Sequence, residues 1–493
     1  MFKKVLIANR GEIAVRIIRA CRDLGIKTVG VYDSSDVDSL HVRITSECVR
    51  LKSELGYSDQ NEIIEIAKKT GAEAIHPGYG FLAENYEFAK ACESNGIKFI
   101  GPDSSIIEKL QNKLDVLNKV KEAGFPTITH SDQSFSENED DLLKKTGEKI
   151  GFPLIIKSCA GGRGRGTYYV RTKDELDEAI RKSRVEAKTV YVGKKLYIEK
   201  PILPVHQLGI QILADEHGNI IHLGEREGSF LVGNQKILEE SPSPFLNDGK
   251  RKAIWDTAIE IAKLFGYRNA GTIEFLMDNN GNFFFTEIKQ RIQVEHPLSE
   301  KITMIDIVRE QLKISNGEKL SYSQEDVHFR GWSMMCRINA QDVLNNYLPS
   351  PGKLTTMRLP GGPNVRVDTY GYPGCYIPVK FDPTFAKLIV WGENREECMS
   401  RMRRALEDFV IAGIQTNLPL LQSILNEPGF INGKYNIDFA PRKIKNVKET
   451  DEYLKDMAVA TAIAFLKKKG SQEPELPNRF QAGWHKSSRR LPE

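Results

Sequence analysis

The chain has 493 residues, too many for one hydrophobic core, so roughly two to four folding units are expected. Its 40% apolar and 28% charged residues are ordinary for a globular protein in water. The net charge of +4 is small for this length and no block of Lys or Arg dominates, which argues against nucleic acid as a partner.

The seven cysteines are scattered without a Cys-x-x-Cys pair, the pattern of reduced thiols in a cytoplasmic protein. No apolar run reaches the length of a membrane span. The opening MFKKVLIANRGE turns polar too soon for a signal peptide and reads as a strand. Val5 to Ala8 is that strand, Asn9-Arg10-Gly11 breaks it, and Ile13, Ile17, Ala20 and Leu24 recur at helical spacing. Thr28 to Tyr32 is a second strand, a helix follows around Glu62–Lys69, and Ala74-Ile75 is a third strand. This alternation predicts a parallel α/β domain. The first turn lacks Gly-x-Gly-x-x-Gly, so no dinucleotide is implied.

The loop His76 to Asn85 reads as a turn into a helix over Tyr86–Ser94. Lys109 to Gly124 is expected as one helix, and the acidic stretch 131–141 as a linker or exposed loop. A strand then ends at Lys157 and opens into the Gly-rich loop 159–166. Glycines let backbone N–H groups approach phosphates, and Lys adds a point charge. No Gly-Lys-Ser/Thr closes the loop, so it is not a Walker A motif; a plain Gly-rich turn is the alternative. The helix Asp174–Ala187 and the strand Leu196 to Lys200 complete a small unit able to close like a lid.

Residues 210–240 are strand-rich and contain Lys236, and Gly249–Phe265 is an amphipathic helix. Next, Ile273, Phe275 and Met277 alternate, Asp278 to Gly281 turns the chain, and Phe283 to Glu287 runs back. In such a hairpin Glu274 and Glu287 can face each other. Two close carboxylates repel unless a cation sits between them, and Mg²⁺ takes oxygen ligands and bridges phosphates. Arg291, Gln293 and Glu295 follow at alternate positions, which an extended strand would point to one side. A metal pair followed by a cation, an amide and a carboxylate suits activation of a small anion with ATP; the alternative is a half-exposed hairpin with ordinary surface charges. A Pro/Gly-rich stretch of short β segments runs from Pro349 to Pro383, Arg401–Phe409 is helical, and Tyr453–Lys469 is a helix before a basic, irregular end.

Taken together these stretches resemble the biotin carboxylase subunits of biotin-dependent carboxylases, within the ATP-grasp superfamily. The segments that match are KVLIANRGEIAVRIIRACRDLGI from Lys4, HPGYGFLAEN from His76, FIGP from Phe99, the loop after Lys157, Glu199-Lys200, RIQVEHP from Arg291, RINA from Arg337, PSPG from Pro349 and the segment around Asp382, in the family's order. The resemblance implies a multidomain fold of α/β and α+β type. It would comprise an N-terminal parallel α/β domain (1–113), an ATP-grasp domain (114–330, lid about 131–203), a β-rich C-terminal biotin carboxylase domain (331–445) and a tail (446–493).

It also implies that ATP phosphorylates bicarbonate to carboxyphosphate, whose CO₂ is captured by biotin on a carrier protein. Lys113, Lys157, Gly161, Gly162, Gly164, Gly166, Glu199, Lys200 and Gln207 would hold ATP. Glu274 and Glu287 would bind Mg²⁺ or Mn²⁺, and Lys236, Arg291, Gln293 and the backbone of Val294 would hold bicarbonate. Glu295 would be the base, and Arg337 would stabilise the biotin enolate. No Met-Lys-Met turn that could carry biotin is present, so the carrier and the carboxyltransferase are expected as separate chains around a homodimer, with the tail as a docking arm.

Departures from the family pattern are Arg163 for a Gly, Gln207 for a His, Gly209 for a Glu, Leu231-Val232-Gly233-Asn234 for Gln-Arg-Arg-His, and Lys289 for an Asn. They are expected to cluster around the nucleotide. They leave open a working carboxylase with an altered ATP clamp and a non-catalytic paralogue with an assembly or regulatory role. An ATP-grasp ligase joining another carboxylate to an amine is a third reading.

Overall fold

In a computed structural model the described residues are 1–160, 167–190, 195–203, 205–233, 235–439 and 459–463. Residues 1–445 form one unit and 446–493 a second, of which only the helical segment 459–463 is described. The expected helix Tyr453–Lys469 otherwise lies outside the described residues, as do Gly161, Gly162, Arg163, Gly164, Gly166 and Asn234. No helix among the described residues is long and apolar enough to cross a membrane.

The first elements are β1 (Lys4–Ile7), α1 (Gly11–Asp23), β2 (Lys27–Tyr32), α2 (Leu40–Ile44), β3 (Glu47–Arg50), α3 (Gln60–Thr70), β4 (Ala74–His76), α4 (Tyr86–Ser94) and β5 (Lys98–Phe99). The strands form a parallel sheet of order β3-β2-β1-β4-β5, as expected from the strand–helix rhythm. The edge strand β3 escaped sequence reading because its four residues are largely exposed and carry no apolar period. The stretch expected as one helix over Lys109–Gly124 is two, α5 (Ser104–Leu110) and α6 (Lys113–Glu122). Asn112 causes the break, because its side chain accepts the N–H groups of Leu114 and Asp115 and caps α6.

A second layer holds α7 (Asp140–Ile150), β6 (Leu154–Ser158), β7 (Thr167–Val170), α8 (Leu176–Val190) and β8 (Leu196–Glu199). Its antiparallel sheet of order β7-β6-β8 packs Leu154, Ile156 and Ile198 against Leu143, Leu176 and Ile180 of the helices. Residues 131–139 form the loop, one of the two expectations, largely exposed but not a free linker. Ser131 N–H donates to the Ile198 carbonyl (2.9 Å), Phe135 and Leu196 exchange both backbone bonds, and the Phe135 ring is fully buried in this core. The polar composition hid one aromatic anchor and the edge pairing it supports.

The largest sheet comes next, from β9 (Val205–Ala214), β10 (Ile220–Val232), β11 (Gln235–Ser241), β12 (Asn269–Asp278), β13 (Phe283–Lys289) and β14 (Trp332–Asn339), with the helices α9 (Asp248–Leu264) and α10 (His296–Thr303) between strands. Its order is β13-β12-β9-β10-β11-β14, continued by the strands Thr384–Gly392 and Val365–Thr369, all antiparallel. One continuous sheet therefore crosses residue 330. α9 buries Ile254, Ala258, Ile261 and Ala262 in the same cluster as Ile210, Ile212, Ile273 and Phe275. The helix expected over Arg401–Phe409 is longer, Arg395–Asp408, because Asn394 caps it earlier.

Candidate active site

The hairpin β12–β13 forms as expected. The Asp278 carboxylate accepts the N–H groups of Asn280 and Asn282, and Gly281 takes a φ of +77° that a side chain would strain. This fixes the register, so Glu274 and Glu287 are direct partners across the strands. The segment after β13 is not a strand, which corrects the reading of Arg291, Gln293 and Glu295 as one extended face. It bends and turns into α10, whose N-cap is Glu295. Gln293 and Glu295 still converge, through Glu274 and Lys236, whereas Arg291 turns to Glu84.

Glu295 lies at the centre, 3% exposed. Lys236 Nζ on β11 is 3.1 Å from its Oε1, and Arg337 Nη2 on β14 is 3.1 Å from its Oε2. A second buried carboxylate, Glu239, shares both cations, with Arg337 Nη2 at 3.3 Å and Lys236 Nζ at 3.7 Å. Lys236 and Glu239 fall on β11, and Arg337 lies across the β11–β14 pairing. The two carboxylates are pushed apart in proton affinity. Burial raises both, but Lys236, Arg337 and Arg226 hold Glu295 well below the usual carboxylate range. Burial and the neighbouring Glu295 charge push Glu239 up to about 7.

Gln293 Nε2 donates to Glu274 Oε1 (2.7 Å), and Lys236 Nζ is 3.5 Å from the same oxygen. Arg226 Nη2 on β10 donates to Gln293 Oε1 (2.6 Å) and Thr272 Oγ1 (2.8 Å), while its Nη1 reaches Gln211 and Ser299. Arg291 turns to Glu84, with Nε 3.4 Å from the carboxylate. The carbonyl of Val294 accepts from Lys387 Nζ (3.1 Å), and that buried ammonium also pairs with Glu12 of α1 at 2.9 Å. The Nε atoms of Arg226 and Arg337 have no hydrogen-bond partner, which leaves donors for an anion. Glu287 Oε2 is 3.0 Å from Lys113 Nζ and its Oε1 is 2.7 Å from Lys289 Nζ. Although burial opposes it, these two ammonium groups hold Glu287 well below its ordinary range.

The other residues expected to hold the nucleotide sit on two sheets. Lys157 at the end of β6 pairs with Glu199 of β8 at 2.5 Å, and Tyr197 Oη also donates to Glu199. Lys200 does not join them, because its Nζ donates to the Gly151 carbonyl at 2.8 Å. Gln207 on β9 is opposite Leu276 of β12, with its backbone N–H donating to Ser229 Oγ. Gly209 departs from the expected cluster. It pairs with Glu274 across β9–β12, and a Cβ there would lie 3.9 Å from Arg226 Nη2 and 4.0 Å from Gln293 Oε1. The substitution therefore falls beside the proposed anion site. The pairing of β9 with β12, invisible in the order of motifs, puts it there.

Arg226, Glu239, Glu84 and Lys387 were missed in sequence. Only Lys387 left a signal, a lone cation inside an otherwise apolar strand run, TFAKLIVWG, whereas Arg226 stands between Glu225 and Glu227 in a mixed run. As a donor set, Glu274 and Glu287 give oxygen ligands from facing strands, part of a shell of the kind Mg²⁺ shares with phosphates and water.

Family models cover most of the chain. "Biotin carboxylase, N-terminal domain" matches residues 1–107, "Carbamoyl-phosphate synthase L chain, ATP binding domain" 112–323, and "Biotin carboxylase C-terminal domain" 335–442. Biotin carboxylase 1 of Bacillus subtilis is 46% identical over 443 residues, 89% of this chain and 98% of the relative. The biotin carboxylase of Haemophilus influenzae is 43% identical over 447 residues, 90% of this chain and 99% of the relative. Among solved structures, the biotin carboxylase domain dimer of Hydrogenobacter thermophilus 2-oxoglutarate carboxylase, in complex with MgADP, ADP and bicarbonate, superposes with a TM-score of 0.88 at 41% identity. The match covers 91% of this chain and all of that one. Biotin carboxylase of Campylobacter jejuni, in a β,γ-ATP complex, gives 0.87 at 38% identity over 90% of this chain and 99% of that one.

Proposed function

The chain belongs to the biotin carboxylase family, and from that premise we propose that it uses ATP and bicarbonate to carboxylate biotin on a separate carrier protein. The observation that carries the reading is the convergence of Lys236 and Arg337 on Glu295, beside Gln293 and Glu274. Bicarbonate sits among Lys236, Arg291, Gln293 and the backbone of Val294. Glu295 takes its proton, and a bicarbonate oxygen attacks the γ-phosphorus of ATP, breaking its bond to the β,γ-bridging oxygen and releasing ADP, to give carboxyphosphate. This splits to CO₂ and phosphate, the phosphate takes the ureido proton of biotin, and the enolate held by Arg337 attacks CO₂. Glu274 and Glu287 are the residues that would hold Mg²⁺, which offsets charge on the phosphate oxygens. Lys113, Lys157, Glu199 and Gln207 hold the rest of the nucleotide.

The electrostatics give this sequence a physical coupling. The cations that keep Glu295 a weak base are the ones assigned to bicarbonate and to the enolate. A bound anion draws Lys236 and Arg337 from Glu295, and the carboxylate becomes a stronger base when its substrate is in place.

The chain acts as the carboxylase component of an acyl-CoA or oxo-acid carboxylase, with carrier and transferase on other chains. A homodimer is supported by the dimer of the Hydrogenobacter relative. We place it in the cytoplasm, keep 113 and 445 as boundaries, take 330 as a boundary of sequence inside one continuous sheet, and assign 446–493 to partner docking. The non-catalytic alternative draws on Glu287, both of whose oxygens are engaged by lysines. The activity decides between them: purified protein should hydrolyse ATP in a bicarbonate-dependent way with free biotin. No hydrolysis, even with a biotinylated carrier added, would leave the non-catalytic reading.

A further inference from the structure

The metal hairpin contains a cation that the family pattern lacks. Lys289 ends β13, two residues after Glu287. Its Nζ lies 2.7 Å from Glu287 Oε1, and Lys113 Nζ from the first turn of α6 lies 3.0 Å from Glu287 Oε2. One of the two carboxylates assigned to the metal is thus capped by ammonium on both oxygens. Glu274 is less closed. Its Oε1 accepts from Gln293 Nε2, and Lys236 Nζ stands 3.5 Å away. The Lys289 side chain is only 17% exposed, with Glu274 and Glu84 as further acidic neighbours and Arg291 as a cationic one.

A divalent cation that binds Glu287 competes with these ammonium groups for its oxygens. An ammonium expelled into a buried, cation-rich site needs another anion. The phosphates of a nucleotide would supply one. Lys289 has a flexible four-carbon stem able to make that move, and an Asn in its place would offer neither competition nor a mobile charge.

We propose that Lys289 is a tethered competitor for the divalent cation. Without nucleotide its ammonium occupies Glu287 and keeps Mg²⁺ off the hairpin. When nucleotide and metal arrive together, the ammonium transfers from Glu287 to a phosphate oxygen, and the metal takes the vacated carboxylate. The protein then accepts the metal almost only with the nucleotide, and each raises the affinity for the other. This rests on the reading above that nucleotide phosphates meet the β12–β13 hairpin.

The test measures Mn²⁺ binding by electron paramagnetic resonance on the full chain, with and without saturating ADP, in wild type, K289N, K289M and K289R. Without ADP, K289N and K289M should bind Mn²⁺ about tenfold tighter than wild type or more, whereas K289R, which keeps the charge, should stay near wild type. With ADP the gap should shrink to about threefold or less, as the displaced ammonium finds its phosphate. Equal Mn²⁺ affinities without ADP in all four proteins, each checked for an unchanged melting temperature, would overturn the proposal. So would a gap that ADP leaves unchanged, because Lys289 would then repel the metal without exchanging partners. Calorimetry with ADP alone separates the two readings. If ADP binds and the Mn²⁺ affinities agree, only the role of Lys289 fails. If ADP binds neither wild type nor variants, the nucleotide assignment fails as well.

Discussion

Glu295→Gln removes the proposed base and leaves its shape. The side chain is buried and its two oxygens are each 3.1 Å from a cation, Lys236 or Arg337. The amide keeps one oxygen to accept from Lys236 or Arg337, sets its NH2 against the other cation, and cannot take the bicarbonate proton. Loss of a positioned base costs about 10²- to 10⁴-fold, so kcat for bicarbonate-dependent ATP hydrolysis should fall about 10³-fold, or about 4 kcal/mol in the barrier. KM for bicarbonate should stay level or drop, because Lys236 and Arg337 lose a competing anion. KM for ATP should hold, since Lys157 and Glu199 are untouched. A spectroscopic signature accompanies the kinetics. Part of the upward push on Glu239 comes from the Glu295 charge. The carboxyl band of Glu239 in infrared difference spectra, assigned with Glu239→Gln, should therefore titrate at lower pH in the variant. Retention of more than about a tenth of wild-type kcat would refute the assignment of Glu295 as base.

Arg226→Lys should raise KM for bicarbonate about tenfold and change KM for ATP less than about twofold, because a single ammonium cannot span the four acceptors that orient Gln293; steady-state kinetics check it. Asp368 is held at about 2 by Arg366 and Lys387 in spite of its burial. Its stabilisation is complete above the ordinary carboxylate value of 3.8 and is lost as pH falls toward about 2. Asp368→Asn should therefore lower stability at pH 7 by about 2 kcal/mol and flatten the dependence between about pH 4 and pH 2, as read by denaturant unfolding across that range.

What could be read from sequence was what is local or contiguous. The hairpin was legible because alternation and the Asp278 turn are short-range signals, and the register they set brings Glu274 opposite Glu287. The Asn112 break and the β3 edge were not, because a single capping side chain and an exposed four-residue strand leave no period. The segment 131–141 was legible as an exposed loop, but its average polarity hid Phe135, which with Ser131 fastens it to β8.

The more consequential gap concerns charge. Sequence gives the ionisable residues of a motif but not which of them share a partner. Lys236 and Arg337, separated by a hundred residues of chain, both bridge Glu239 and Glu295 because β11 pairs with β14. Gly209 meets Arg226 and Gln293 because β9 lies against both β10 and β12. A carboxylate at position 209 would have stood beside Arg226 and Gln293. In its absence Arg226 is a fully buried guanidinium with only neutral hydrogen-bond partners, its charge offset at longer range by Glu295, Glu239 and Glu274. A buried cation without a contacting counter-ion lowers the cost of bringing an anion nearby. The substitution at 209 therefore falls at the proposed bicarbonate end of the site, and its effect should appear in bicarbonate affinity before it appears in nucleotide affinity.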